Sequence, residues 1–445
     1  MSRKAESAAI HIDSRESENG EGRRIASGLD LGIFLGLCGL LMFGPLAFGA
    51  VEEWAVFALR AGAAVLFLLW ATKQLVLGSV RLQDNPSYLP AALFALLVAG
   101  QTVLGLTSYR YASLHEGMNY AAYGMLLLVA GETLAQPRPW RKFLIVLAGF
   151  GFALALFAVL QDFSGTDRLY WIRKPVAVAG IIYGPYVNHN HYAGLMEMLV
   201  PAAIVLGLGE RGGKRALFVF AAVLMGASVF LSRSRGGSLA LILELAFLAV
   251  CLSRMRNGRR GFPLLAGTGG LIGAMLLWIG SARVIRRMVE TQDSFRVAID
   301  ADCLRMWTHH PLLGFGFGTF PTVYPQFRSF YTHVFVNQAH NDYLQLLVET
   351  GLIGFCLAAW FLVAIYRAGF NKLEQPDVGE SRILNLAALT AISGLLVHSL
   401  VDFNLHIPAN AALFFVLCGV AAAPVRARKV VLDKIEQRKP EAEYV

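Results

Sequence analysis

Apolar residues along this chain gather into runs of about 20, separated by short stretches where charge and turn-forming residues collect. A bilayer core of about 30 Å is crossed by roughly 20 helical residues, so each run predicts a membrane helix. About twelve are readable, near 29–51, 55–78, 88–107, 117–134, 141–161, 190–208, 215–232, 237–253, 262–281, 339–368, 383–401 and 407–423. One long interruption, residues 282–338, ends where AHNDYLQLLVETGLIG resumes the apolar pattern from Ala339. The pattern predicts an all-α polytopic membrane protein of about 12 spans, with one long outer loop between spans 9 and 10. A polar N-terminal tail (1–28), spans 1–9 (29–281), the loop (282–338) with amphipathic helices, spans 10–12 (339–423) and a C-terminal tail (424–445) complete the expected organisation.

Composition agrees: 56% of the 445 residues are hydrophobic and only 16% charged, against about a quarter in a soluble domain. AFGA at 47–50 resembles a signal-cleavage site, but about 28 polar residues and a long apolar run precede it, so the first span is expected to be retained. Cys38, Cys251, Cys356 and Cys418 fall in apolar runs and Cys303 in the loop, so no soluble disulfide pair and no C-x-x-C metal spacing is on offer. Lys and Arg set the orientation. With the N-terminus inside, 26 of the 39 lie in cytoplasmic segments and 12 face outward, 11 of the latter being Arg. Arg pairs with phosphate through a planar two-pronged fork, so arginine on the outer side points to an anionic ligand there. The net charge of +9 carries no nucleic-acid signature, since no basic helix with interleaved aromatics, zinc-finger spacing or dinucleotide fingerprint accompanies it. GFGFGT at 314–319 lacks both a preceding strand and a following Lys, and reads as a turn.

Four outward elements carry candidate chemistry. VNHNHYAGLMEM opens a span with Asn188, His189, Asn190 and His191, and places Glu197 two turns inside. SRSRGG from Ser232 sets Arg233 and Arg235 about a bend that Gly236 and Gly237 are expected to permit. The long loop brings Arg283, Arg286, Arg287, Arg296 and Arg305, and an aromatic stretch from Phe315 to Phe335 suited to a lid at the membrane interface. HSLVDFNLHIP holds His398, Asp402 and His406 around a short outer turn. His340, Asn341 and Asp342 are expected to open the helix that re-enters the bilayer, where polar groups are costly and mark function.

An SRGG turn, an Arg fifteen residues ahead of PLLGFGFGTF, and AHNDYLQ opening the next span together resemble the O-antigen ligase and polymerase superfamily, most strongly over about 187–410. The resemblance implies a GT-C-like bacterial inner-membrane enzyme that moves a glycan from undecaprenyl pyrophosphate to an acceptor hydroxyl on the periplasmic face. Its partners would be that lipid-linked glycan, an acceptor glycolipid or glycan such as lipid A core, and membrane lipids, with no nucleic acid. Carried over, the turn arginine falls on Arg235, the loop arginine on Arg296 and the re-entry histidine on His340; where the family usually has Trp four residues after the loop arginine, this chain has Asp300. Arg235 and Arg296, with Arg233, would hold the pyrophosphate as charge develops on the leaving oxygen. His340 would be the general base, with Asn341 or Asp342 orienting the ring or the acceptor, and Asn188, His191 and Asp402 would be secondary substrate contacts. Transfer would invert the anomeric carbon and need neither cofactor nor metal, since the arginines would hold the charge of the leaving group.

Polymerase, protein O-oligosaccharyltransferase and ligase activities share these motifs. A flippase for the same lipid-linked sugar is the rival from another class. Mid-span ionisable residues are few, Arg60, Glu197, Glu244 and Glu349, and the polar constellation keeps to one face, which favours chemistry over transport. The charge distribution yields a topology test. A Cys introduced at Thr322 should react with a membrane-impermeant thiol reagent added outside, and one at Asn257 should not; outside labelling at Asn257 would reverse the orientation.

Overall fold

In this computed structural model the described residues are 2–80, 82–175, 181–255, 258–279, 294–374 and 380–424. Arg283, Arg286, Arg287 and the C-terminal tail lie outside them. The described residues form helices and turns without a β-strand, apart from two isolated bridges. In chain order the main helices are α1 (Ser2–Leu46), α2 (Glu53–Val76), α3 (Tyr88–Val103), α4 (Arg110–Leu134), α5 (Pro137–Phe163), α6 (His189–Gly209), α7 (Gly212–Leu231), α8 (Arg235–Arg254), α9 (Phe262–Ile279), α10 (Ser294–Trp307), α11 (Asp342–Glu374), α12 (Glu380–His398) and α13 (Pro408–Ala422).

A helix stands over each expected span, but among the described residues length and apolar composition qualify eight helices to cross a membrane. α3, α9 and α13 are shorter apolar helices, and α4 is long but carries Arg110, His115, Glu116, Asn119 and Glu132. α6 is the central helix, buried along nearly its whole length against α7, α12 and α5, while α13 packs on α4. Large apolar side chains at the periphery point outward, among them Phe57, Leu68, Leu75, Leu96 and Trp278. Such a surface suits lipid and would be a liability in water.

The described part of the long loop, 294–338, forms a small second core. In it α10 packs Ile299, Cys303 and Met306 with Phe315, Phe320, Val323, Tyr324 and Val348. Of the expected aromatic lid, Phe315, Phe320 and Tyr324 are buried in that core, and Tyr331 and Phe335 remain exposed. GFGFGT is a chain of turns, as its glycines imply, and it is stitched into a break in α11. Phe315 N–H and Gly316 N–H donate to the carbonyls of Val348 and Glu349, and the buried Glu349 carboxylate accepts from the N–H groups of Gly318 (2.9 Å) and Phe320 (3.1 Å).

At the break, Gly351 takes φ 62° and ψ −167°, and a Cβ there would lie 2.3 Å from the Leu312 backbone. Gly351→Ala should therefore lower stability by about 2–3 kcal/mol, read as a drop of several degrees in melting temperature of the detergent-purified protein. Gly273→Ala, in α9 with open space around the added methyl, should match wild type; equal melting of both variants would refute the account of the break.

Candidate functional site

The polar residues singled out above converge at one end of the bundle, around the turn 399–407 that joins α12 to α13. Asp402 lies in this turn with its side chain 1% exposed. Its N–H donates to the His398 carbonyl, closing the last turn of α12, and its Oδ1 accepts from Phe403 N–H at 2.8 Å. Asn404 Oδ1 accepts from Asn410 Nδ2 at 3.0 Å, and Asn410 Nδ2 also donates to the His191 carbonyl at 2.8 Å, tying the turn to α6.

Three basic groups from three other elements face the Asp402 carboxylate. His191 Nε2 from the first turn of α6 is 3.8 Å from Oδ1, and His340 Nδ1, just ahead of α11, is 3.7 Å from the same oxygen. Arg296 of α10 places Nη2 4.0 Å from Oδ2 while its Nη1 donates to the Val401 carbonyl at 2.7 Å. The Phe403 ring stands edge-on to both imidazoles, at 4.7 Å from His191 and 4.9 Å from His340. Burial pushes the Asp402 carboxyl up, but His340, His191 and His398 outweigh it and hold the group well below the usual carboxylate range.

Two expectations about the re-entry segment need correction. α11 begins at Asp342, so His340 precedes the helix and has φ 56°. Asn341 is the reason: its Oδ1 accepts from the N–H groups of Tyr343 and Leu344, both at 3.2 Å, and so sets the helix start behind it. Asp342 does not face His340. Its Oδ1 accepts from His406 Nδ1 at 2.8 Å and its Oδ2 from Leu405 N–H at 3.2 Å. The carboxylate facing His340 is Asp402, expected from sequence only as a secondary contact. Segments 340–342 and 402–406 are thus cross-linked reciprocally, by a tight buried pair, Asp342 with His406, and by a looser one, Asp402 with His340, whose ring is 30% exposed. Asp300 lies one helical turn after Arg296, and burial pushes its carboxyl up against the opposing influence of Asn341 and Arg296.

The arginine turn also differs from expectation. Ser234 caps α8, its Oγ accepting from Gly237 N–H at 3.1 Å, and Arg233 itself takes the left-handed conformation, φ 67°. Gly236 and Gly237 lie inside the first turn of α8 and serve close packing instead. A Cβ on Gly236 would lie 3.0 Å from His398 Nε2, and one on Gly237 2.6 Å from the Ala193 methyl. The cap separates the two arginines: Arg235 opens α8 just ahead of Gly236, which packs against His398 and Val401, whereas Arg233 is ion-paired with Asp162 at the end of α5. Beneath the turn lies a pair that the site reading missed, His398 Nδ1 to Glu197 Oε1 at 3.0 Å, with both side chains fully buried. The signal for it was an ionisable residue inside each of two apolar runs. Asn188 caps α6 through Asn190 N–H at 2.9 Å, with Nδ2 3.5 Å from His191 Nε2.

Adjoining this cluster is a cavity of about 790 Å³ between α3, α4, α11 and α13. Its walls are apolar, including Phe94, Tyr120, Phe317, Leu346, Phe361 and Phe415, and Asp342, Glu349 and His406 also line it. Among the described residues no group of three or more His, Cys, Asp or Glu is arranged to hold a metal ion.

Fold and site together define a polytopic helical membrane protein with a histidine, arginine and aspartate centre at one end of its bundle, beside an apolar cavity. Residues 220–359 match the model of the O-antigen ligase family, in line with the sequence resemblance. The matched segment contains Arg233, Arg235, Arg296 and His340–Asp342 and ends before the turn that supplies Asp402. The chain is also 28% identical over 251 residues to an O-antigen ligase of Pseudomonas aeruginosa, a match that spans 56% of this chain and 56% of that relative. It therefore covers little more than half the length of the curated relative.

The Asp342–His406 pair has a pH signature. Burial opposes the imidazolium, but Asp342, aided by Glu116 and Glu349, outweighs it and holds His406 up at about 9. A free imidazole titrates near 6.5, so the stabilisation is complete below about pH 6.5 and disappears as pH rises through about 9. The melting temperature of the purified protein should fall across that window, and His406→Gln should melt lower at pH 6 and lose most of the pH dependence. A variant that keeps the wild-type slope would assign the effect elsewhere.

Proposed function

We propose that this chain is a membrane glycan ligase that transfers a glycan from undecaprenyl pyrophosphate to an acceptor hydroxyl, of lipid A core or a similar glycolipid, on the periplasmic face of a bacterial inner membrane. The observation that carries the reading is the convergence of His340 and Arg296 on buried Asp402, beside an apolar cavity of about 790 Å³. Residues 282–338 are then the periplasmic loop, between spans 29–281 and 339–423, and the tails 1–28 and 424–445 are cytoplasmic. The polyprenyl chain occupies the apolar cavity.

In this reading His340 Nδ1 faces Asp402, which leaves Nε2 as the basic atom directed at the acceptor. The acceptor hydroxyl attacks the anomeric carbon in line, its proton passes to His340 Nε2, and the bond from that carbon to the pyrophosphate oxygen breaks with inversion. Asp402 stabilises the imidazolium formed. The departing pyrophosphate carries the negative charge, and Arg235 and Arg296 bind it, so the reaction requires no metal. Asp342 and Asn341 fix the segment that carries His340, Asn188 and His191 hold the far side of the turn, and Arg233 holds the α7–α8 junction through Asp162.

The test separates donor binding from transfer in purified Arg235→Ala, Arg296→Ala and His340→Ala proteins. Both arginine variants should bind lipid-linked donor more weakly, with poor rescue by Lys, which cannot make a bidentate contact. His340→Ala should bind donor normally, transfer about 10² to 10⁴ times more slowly, and lose the acid limb of the pH–rate profile. Near-normal transfer by His340→Ala, or failure through lost donor binding alone, would remove it as the base.

A further inference from the structure

The end of the bundle away from His340 holds a second cavity, of about 590 Å³, where the start of α5, the end of α6 and the start of α12 meet. Arg138, Arg141 and Lys142 line it together with Val205, Leu206 and Ile383. Arg138 and Lys142 are exposed, while Val205 and Leu206 are buried, so charge gathers at the mouth and apolar surface at the wall. Arg141 is ion-paired with Glu210, leaving an excess of positive charge among the lining residues and their partner. Just ahead of the lining residues on two of the helices, the side chains of Gln136, Ser381 and Arg382 each keep a buried polar atom, Nε2, Oγ and Nε, without a hydrogen-bond partner. Scattered surface arginines would explain a solvated membrane flank. They do not explain a cavity whose rim is cationic and whose wall is apolar.

From this arrangement we propose that the cavity binds the headgroup of an anionic phospholipid, with phosphate against Arg138, Arg141 and Lys142 and the start of the acyl chains against Val205 and Leu206. Basic pockets between membrane helices suit anionic headgroups, and each cation near the surface adds appreciably to binding. A volume of about 590 Å³ lies within the range of small-ligand sites. The apolar wall favours a lipid over a free anion, because a soluble phosphate has nothing to place there. Bound lipid would clamp α5 to α6 and α12, a junction that the protein itself closes through Trp140 Nε1 donating to the Leu384 carbonyl at 3.0 Å. Two of these helices carry His191 and His398 at their other ends, so the clamp supports the site without touching it.

The test measures melting temperature in neutral detergent as phosphatidylglycerol or phosphatidylcholine is titrated in. Wild type should be stabilised by phosphatidylglycerol alone. The double substitution Arg138→Ala with Lys142→Ala should raise the half-saturating lipid concentration at least tenfold. Arg211→Ala with Lys214→Ala removes two exposed cations from the nearby α6–α7 junction and should respond as wild type. Arg138→Gln with Lys142→Gln serves in place of the alanine pair should that pair fold poorly. The proposal fails if phosphatidylglycerol does not stabilise wild type, if both double variants weaken the response equally, or if glycerol 3-phosphate or inorganic phosphate reproduces it. The last result would make the ligand a soluble anion.

Discussion

A carboxylate buried as deeply as Asp402 is tolerated only where positive charge and hydrogen-bond donors converge on it, and removing one such partner from a buried ion cluster is far more damaging than replacing an apolar contact. Here the partners come from α6, α10 and the segment ahead of α11, so one charge in the α12–α13 turn draws the outer segment down onto the membrane bundle. None of the three contacts closes to hydrogen-bond distance, the shortest being 3.7 Å. Arg296, the permanent cation among them, is therefore oriented by Asp402 without being fully neutralised. Arg296 keeps one nitrogen on the Val401 carbonyl and the rest of its fork at the edge of the site, a state suited to exchanging a weak partner for an anionic ligand.

The same two segments are held in register by a different pair of the same chemistry. Asp342 and His406 meet at 2.8 Å, buried, and make the strong contact that His340 and Asp402 do not. One pair is tight and enclosed; the other is loose, with Asp402 buried and only the His340 ring partly exposed. Two short segments sixty residues apart thus pair their histidines and aspartates crosswise, once tightly and once loosely.

The membrane class and the helix positions were legible because an apolar run of about 20 residues has few other readings. α4 was legible as a helix but not as an ordinary span, because its first half carries polar groups that bond a neighbouring helix: Arg60 reaches from α2 to buried Asn119 at 2.9 Å and to the His115 carbonyl. Arg296, His340 and Asp402 were each picked out as site residues. Their connections were not, since chain proximity offered Asp342 as the partner of His340, whereas the true facing carboxylate lies sixty-two residues on, at Asp402. Arg233 and Arg235 look equivalent in SRSRGG; the Ser234 cap decides between them, and only the fold brings Asp162 to the first. The two glycines that follow read as a bend and turned out to be sites of close helix packing, a distinction set entirely by what stands opposite them.

The site and the large cavity share residues that also hold the outer segment. Glu349 lines the cavity, and its two oxygens fasten the glycine-rich turns of the outer segment. Asp342 and His406 line it as well, and they hold the segment that carries His340. Any occupant that displaces these groups shifts the outer core and the histidine together. In the proposed reaction a lipid chain seated in the cavity and a pyrophosphate at the arginines belong to one molecule, so filling the cavity would bear on the placement of His340 through Asp342 and His406. The tight ion pair is what allows that coupling, because it transmits a displacement where the loose Asp402–His340 contact would absorb it.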